Sequence, residues 1–150
     1  MRQKQKLKTM SCKKENAAII TPILAAGSAT TPYYYQVNIN QRLCTPVCVD
    51  STPIFNPTFT FVSAVSSAAN QYVVTINVEG VITYTPCGSG QCCARVQTIS
   101  QEFTIPVFSE AAITTVTITK TFTNNSISTA ACTNCSRDFV SENGLSIAIA

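Results

Sequence analysis

Residues 71–108 read QYVVTINVEGVITYTPCGSGQCCARVQTISQEFTIPVF, and this stretch decides the fold. Two long runs of alternating apolar and polar residues flank residues 85–94, which hold three cysteines and two glycines. Period-two alternation of β-branched and aromatic residues is typical of strands, whereas glycines mark the turn between them. The stretch therefore predicts two strands joined by a rigid tip that is loaded with cysteine.

The first run, residues 71–85, gives the clearest strand pattern in the chain. One face carries Tyr72, Val74, Ile76, Val78, Ile82 and Tyr84. Fifteen residues are many for one strand, so we expect Gly80 to mark a bulge or bend where the chain passes between sheets. The second run, residues 94–108, repeats the alternation with Val96, Phe103, Ile105 and Val107 facing inward, and Pro106 favours an edge strand or a bend.

Shorter runs predict the remaining strands, and no stretch has a convincing helical period. We expect strands at residues 33–40, 58–65, 113–123 and 145–150, a brief pairing at 137–140, and a turn at 124–126. In residues 113–123, Val116, Ile118 and Phe122 are expected to face inward. Seven to eight strands without helices predict an all-β fold, an antiparallel β-sandwich of jelly-roll-like type with a flexible N-terminal arm. The expected division is a basic arm or connector at 1–28 and the sandwich domain at 29–150.

The composition points to a surface that carries little charge. Charged residues make up 11% of the chain, against about 25% in an ordinary soluble domain. Such surfaces suit proteins that pack against copies of themselves, although a weakly charged secreted module fits as well. The first fifteen residues carry a net charge of +5 and the rest −2, so the net +3 of the chain belongs to its tail. No nucleic-acid partner is expected, because no later stretch interleaves basic and aromatic residues.

The first 28 residues contain a polar arm and a short apolar run. Residues 1–16 are expected to be disordered alone, and Met10 is an alternative start. Residues 17–26 follow a lysine-rich stretch and so resemble a secretory signal, but Pro22 interrupts the run. No run reaches the roughly 18 apolar residues of a membrane span.

Catalysis is not expected from this sequence. The chain has no histidine, which removes the commonest general base and a common metal ligand. The carboxylates are scattered without a pairing spacing: they are Asp50, Glu79, Glu102, Glu110, Asp138 and Glu142. The sequence Gly88-Ser89-Gly90 superficially resembles a nucleophile elbow but lacks its full pattern. We therefore predict neither an enzyme nor a cofactor.

Eight cysteines offer either disulfides or thiolate metal ligands. Cys132 and Cys135 have zinc-knuckle spacing, and Cys87 with Cys92 or Cys93 would complete a four-thiolate site, but the other pairs are spaced too widely. A thioredoxin-like site needs a helix, which the sequence does not predict after Cys135. Disulfides are the preferred prediction, without a bound metal. They either close local loops, Cys44 to Cys48 and Cys132 to Cys135, or staple loops at one end of the sandwich.

Three cysteines are candidates for cross-links between subunits: Cys12, Cys92 and Cys93. Adjacent residues on an extended chain point to opposite sides, so one of Cys92 and Cys93 can bond within its subunit while the other faces outward. Cys12 stands in the charged arm without a nearby partner, either as a free thiol or as a thiol that bonds to another molecule. The other disulfide candidates are Cys44, Cys48, Cys87, Cys132 and Cys135.

The arm suggests how subunits would be joined. Open sheet edges accept an extended segment as an added strand. We expect the apolar side chains of the arm to dock on a neighbour in this way: Ile19, Ile20, Ile23 and Leu24. Head-to-tail contacts of this kind grow into filaments unless the rotation closes them.

A threonine-rich, histidine-free β-sandwich with Cys12 in an N-terminal arm resembles the endospore appendage subunits of Bacillus-type spores. The resemblance covers the arm and the overall plan. It implies a jelly-roll pilin that stacks into disulfide-cross-linked fibres, with Cys12 as the connector cysteine. That family usually has paired cysteines in its connector, whereas Cys12 stands alone here.

The expected function is a structural subunit of a self-assembling, disulfide-cross-linked fibre. Its partners would be copies of itself, and its place the cell or spore surface, outside the cell. The alternatives are a jelly-roll structural protein of a virion or phage and a monomeric, disulfide-rich secreted binding module.

Overall fold

The computed structural model describes residues 17–25, 32–48, 51–87, 94–128 and 135–150, with only the backbone at 135 and 136. Seven strands make up most of these residues: β1 (Ile19–Leu24), β2 (Tyr33–Cys48), β3 (Thr58–Ala68), β4 (Gln71–Tyr84), β5 (Arg95–Phe108), β6 (Val116–Ile127) and β7 (Cys135–Ile149). The described residues contain no helix, hence none long and apolar enough to cross a membrane. The all-β prediction is confirmed.

The strands form two antiparallel sheets that share one core. Sheet A has the order β1-β2-β7-β6, and sheet B has the order β3-β4-β5. Buried apolar side chains from both sheets belong to a single cluster, so the predicted sandwich is confirmed. Neighbouring strands in the chain are mostly neighbours in a sheet, and this order departs from the two interlocked Greek keys of a jelly roll.

Aromatic side chains pack the space between the layers. Phe55 meets Phe139 edge to face with ring centroids 5.7 Å apart, and Phe59 meets Phe103 in the same way at 6.1 Å. Phe139 and Ile39 are fully buried, and complete burial of such a side chain contributes roughly 1.5–3 kcal/mol.

The β4 face that alternation predicted is the buried one, and the hairpin before β4 turns at Asn70, whose φ is 61°. The predicted bulge at Gly80 is wrong, because β4 pairs with β5 without a register shift. A Cβ at Gly80 would lie 2.5 Å from Phe55 Cε1, so the glycine makes room for that ring. Val96 is also wrongly predicted to face inward: it is exposed, and Gln97 is the buried residue.

The structure extends β2, β6 and β7 beyond their predicted ends. The predicted turn at residues 124–126 lies within β6, and the two short pairings predicted at the C-terminus are one strand. A register shift between Lys120 and Phe122 reverses the alternation of β6, because a one-residue bulge moves every later side chain to the other face. Phe122 is therefore 41% exposed rather than inward-facing.

Hydrogen bonds between side chains and backbone close both sides of the sandwich. On the side of β2 and β5, Tyr33 Oη and Tyr35 Oη each donate to a backbone carbonyl of β5 at 2.9 Å; we call this side the tyrosine seam. On the side of β6 and β3, Lys120 Nζ donates to Asn56 Oδ1 and to the Pro57 carbonyl at 2.8 Å. The three bonds to backbone carbonyls satisfy acceptors that an edge would otherwise leave open.

Candidate functional site: the cysteine end

Three cysteines lie together at one end of the sandwich, which we call the cysteine end: Cys44, Cys48 and Cys87. Cys48, the last residue of β2, forms a disulfide with Cys87, which follows β4, and their Cα atoms are 4.9 Å apart. The bond therefore ties sheet A to sheet B. It closes a loop of 39 residues, which by chain entropy stabilises the fold by about 4 kcal/mol.

Backbone contacts hold the two halves of this disulfide in place. The Cys87 N–H donates to the Pro46 carbonyl at 2.9 Å, and Val47 forms an isolated bridge with Pro86. Cys87 therefore reaches Cys48 through a short ladder that crosses from one sheet to the other.

The segment that carries Cys44 bulges out of β2. Residues 43–46 lie between the paired positions Arg42–Asp138 and Val47–Ser136, while β7 has only Arg137 in that interval. The Arg137 guanidinium fills the gap by donating to the carbonyls of Leu43, at 2.9 Å, and Cys44, at 3.1 Å. Hydrogen bonds from a charged group are stronger than neutral ones. Arg137 therefore replaces the backbone hydrogen bonds between β2 and β7 that the bulge interrupts.

Gln97 supports the same segment from sheet B. Its Oε1 accepts a hydrogen bond from the Cys44 N–H at 3.2 Å, and its Nε2 donates to the Arg42 carbonyl at 3.0 Å. The Tyr84 hydroxyl also donates to this Oε1. Gln97 is only 3% exposed, and a buried amide of this kind needs these partners.

These contacts decide between the two disulfide arrangements that the sequence left open. The local pairing of Cys44 with Cys48 is wrong, because Cys48 is bonded to Cys87. Cys44 is also in a disulfide. The backbone of Cys135 pairs with Cys48 across β7 and β2. Stapling at one end of the sandwich is therefore what the described cysteines show.

The remaining predicted cysteines lie outside the described residues: Cys12, Cys92, Cys93 and Cys132. Their predicted cross-links, and a local bond from Cys132 to Cys135, stay predictions. Among the described residues, no three or more cysteine or carboxylate side chains come together as metal ligands.

The apolar residues predicted to dock on a neighbour lie in β1, at the edge of sheet A in their own chain. Ile19 pairs with Asn40 and Leu24 with Tyr35, so the predicted boundary at residue 28 assigned an element of the sheet to the arm. Ile19 and Ile23 are exposed on the outer face, and Ile20 is half-buried. Pro22 fits here because an edge strand tolerates a missing N–H.

Sequence reasoning missed Gln97 and Arg137, the two side chains that hold the bulge. A signal for Gln97 existed: it stands two residues before Ile99, at an inward position of a strand whose later inward residues are largely apolar. A polar residue on such a face indicates a buried hydrogen-bonding role. Arg137 had no such signal, because its partners are backbone carbonyls that only the bulge exposes.

Comparisons with known proteins found no matching family model, no matching curated protein and no matching solved structure.

Proposed function

We propose that this protein is a structural subunit of a self-assembling, disulfide-cross-linked fibre at a cell or spore surface, joined by an N-terminal arm that docks on a neighbouring subunit. The observation that carries the proposal is the cysteine end, where Cys48 and Cys87 join the two sheets and Cys44 forms a second disulfide. Cys92 and Cys93 follow Cys87 closely in the sequence. Sulfur-rich ends of this kind suit covalent joining of one copy to another.

An exposed apolar row beside this end supports contact between copies. Ile54 bridges Thr83, which pairs with Val96, so the three residues cross the outer face of sheet B in one row. Ile54 is 71% exposed and Val96 is 58% exposed. The diagonal neighbour Val81 is 49% exposed. Contiguous exposed apolar side chains mark interaction sites, and a second copy of a weakly charged surface fits them.

The open edge of β6 supports joining by strand addition. The hydrogen bonds between Thr115 and Ala150 set the alternation of the β6–β7 ladder. Val116 and Ile118 therefore direct their N–H and C=O groups away from β7. Such an edge accepts an extended segment from another copy.

The experiment that tests the proposal is electron microscopy of the purified full chain in oxidising buffer, with non-reducing electrophoresis of the same sample. We expect fibres, and a ladder of boiling-resistant multimers that collapses to monomer with a reductant. The triple variant Cys12→Ser, Cys92→Ser and Cys93→Ser should lose the ladder.

The matched control is the double variant Cys48→Ala and Cys87→Ala. It also removes cysteines, but these two form a disulfide within one subunit. The variant should therefore still form the disulfide-linked multimers, while its thermal stability falls. A discrete monomer whose eight cysteines are all paired internally would overturn the proposal.

A further inference from the structure

The outer face of sheet B carries apolar side chains at both ends and polar side chains between them. The registers of β4 with β3 and with β5 fix which residues share each row across this face. At the cysteine end lies a group that we call the cysteine-end patch: Ile54, Val81 and Val96. The opposite end, next to the hairpin between β3 and β4, carries a second group of apolar side chains.

We call this second group the hairpin-end patch: Val65, Val73, Pro106 and Phe108. Val65 pairs with Val73, and Val73 pairs with Pro106, so the three residues cross the outer face in one row. Phe108 stands beside this row, two residues after Pro106 on the same face of β5. Val65 is 61% exposed and Phe108 is 52% exposed. Contiguous exposed apolar side chains of this kind mark interaction sites.

The middle of the face is polar and acidic. Glu79 pairs with Ser100, and Glu102 pairs with Asn77, whose Nδ2 donates to Glu79 Oε1 at 2.9 Å. Both glutamates are exposed. No lysine or arginine stands at an outward position of these three strands between the two patches. The middle of the face therefore repels a second acidic surface.

This acidic middle decides how a second copy can lie on the face. Complete overlap with the strands running in the same direction places Glu79 opposite its counterpart in the other copy. Complete overlap with the strands running in opposite directions places Glu102 opposite its counterpart. Like charges held between sheets that pack about 10 Å apart are unfavourable. A copy that is shifted along the strands covers one patch only and leaves the glutamates in water.

Charges at the two ends select which patches meet. Arg95, the first residue of β5, is exposed beside the cysteine-end patch. Glu110, two residues after Phe108, is exposed beside the hairpin-end patch. In the described ranges, neither of these two residues forms a salt bridge. Contact between like patches would bring equal charges together, whereas contact between unlike patches brings the arginine of one copy near the glutamate of the other.

We infer that the cysteine-end patch of one copy binds the hairpin-end patch of a second copy, with the outer faces of their B sheets packed together. Because the two patches differ, the contact is heterologous, and each copy binds two neighbours and extends a filament. Thr83 and Val73, which mark the two patches on β4, are ten residues apart. Successive copies are therefore shifted along the strands by about 33 Å.

This inference rests on the proposed function, because it names the non-covalent contact through which copies assemble. The contact itself needs no disulfide between copies. Sedimentation velocity of the full chain in reducing buffer therefore tests it separately from the cross-links. We expect the sedimentation coefficient to rise with protein concentration.

Two double variants each remove one patch, and threonine keeps the β-branched shape of valine in them. Val65→Thr with Phe108→Thr removes the hairpin-end patch, and Val81→Thr with Val96→Thr removes the cysteine-end patch. Each variant alone should remain monomeric where the unaltered chain associates. An equimolar mixture should form dimers, because each variant keeps the patch that the other lacks. The matched control is Phe122→Thr, at a phenylalanine of sheet A that is 41% exposed, and it should associate as the unaltered chain does.

Two results would overturn the inference. One is a reduced, unaltered chain that stays monomeric at every concentration. The other is association of either double variant alone, since that places the contact between like patches or elsewhere. The proposed function survives both results if the oxidised chain still forms disulfide-linked multimers. Association through the patches without such multimers after oxidation would instead support the inference and contradict the proposed cross-linking.

If a double variant does not fold, charge exchange at the two ends replaces it. Arg95→Glu alone makes both ends acidic, and Glu110→Arg alone makes both ends basic, so each should weaken association. The two substitutions in one chain restore unlike ends and should restore association. A chain with both substitutions that associates no better than either single variant would count against the inference.

Discussion

The phenolic hydroxyl of Tyr35 donates a hydrogen bond of 2.9 Å to the carbonyl oxygen of Pro106, and so joins the two sheets across the tyrosine seam. Tyr35 is 5% exposed, so its hydroxyl needs a partner within the protein. Pro106 contributes no N–H to the edge of β5. The pair therefore blocks one half of an edge that would otherwise accept another strand.

Tyr35→Phe is expected to lower the free energy of unfolding by about 0.5–1.5 kcal/mol, because it removes one hydrogen bond that joins the two sheets. Denaturant unfolding of the reduced monomer measures this change. Tyr72→Phe is the matched control, since the described structure shows no hydrogen bond to the Tyr72 hydroxyl, and it should change stability much less. Equal losses in the two variants would contradict the role given to Tyr35.

The tyrosine seam also predicts a sensitivity to alkaline pH. Burial raises the pKa of Tyr35 above its usual value, and the neighbouring Tyr33 raises it further. A raised pKa means that folding favours the protonated phenol. Its contribution is complete below the unfolded pKa of about 10 and is lost as pH rises through the higher folded pKa. Stability measured between pH 8 and pH 11 should therefore fall at the top of this range, and less so in Tyr35→Phe. Identical curves for both proteins would contradict the prediction.

The Cys48–Cys87 disulfide should dominate the stability of the isolated subunit. The double variant Cys48→Ala and Cys87→Ala is expected to lose about 4 kcal/mol of unfolding free energy relative to the oxidised chain, because a loop of 39 residues is no longer closed in the unfolded state. Thermal unfolding of the two oxidised proteins measures the difference. A loss below about 1 kcal/mol would show that the bond is absent or carries no constraint.

Gln97→Leu should destabilise the cysteine end specifically. The change keeps the volume but removes the acceptor of the Cys44 N–H and one of the two side-chain donors to the Arg42 carbonyl, at a cost of about 1–3 kcal/mol. Amide exchange at Cys44 should rise more than exchange at Ile39, which lies on the same strand away from the bulge. Thr98→Val, at the adjacent exposed position, is the control and should leave both amides unchanged. Equal effects of the two substitutions would contradict the role of Gln97.

The fold class followed from periodicity because strands bury every second residue. Val74, Ile76 and Val78 face one core, as their spacing predicts. The predicted strand ends are wrong where a polar or small residue lies inside a strand. The sequence predicts that Asn125 belongs to a turn, but its Nδ2 donates to the Phe55 carbonyl at 2.9 Å, an interaction between residues 70 positions apart. The residues next to Asn125 in the sequence cannot predict a partner so far along the chain.

The sequence predicts that disulfides lie at this site, but it does not predict which cysteines are bonded to each other. The sequence left open whether the cysteines close local loops or staple one end. The choice depends on the bridge between Val47 and Pro86, which brings Cys87 to Cys48 from the other sheet. It depends equally on the bulge that Arg137 and Gln97 stabilise. Both features are long-range, so the spacing of cysteines alone could not supply them.

The most direct test of the central claim, that sulfur joins copies of this chain, is disulfide mapping by mass spectrometry on a mixture of isotope-labelled and unlabelled protein that has been oxidised together. We predict disulfide-linked peptides with one labelled and one unlabelled partner, containing Cys12, Cys92 or Cys93, while Cys48 and Cys87 remain paired within one chain. Peptide pairs that are all labelled or all unlabelled, for every one of the eight cysteines, would contradict it.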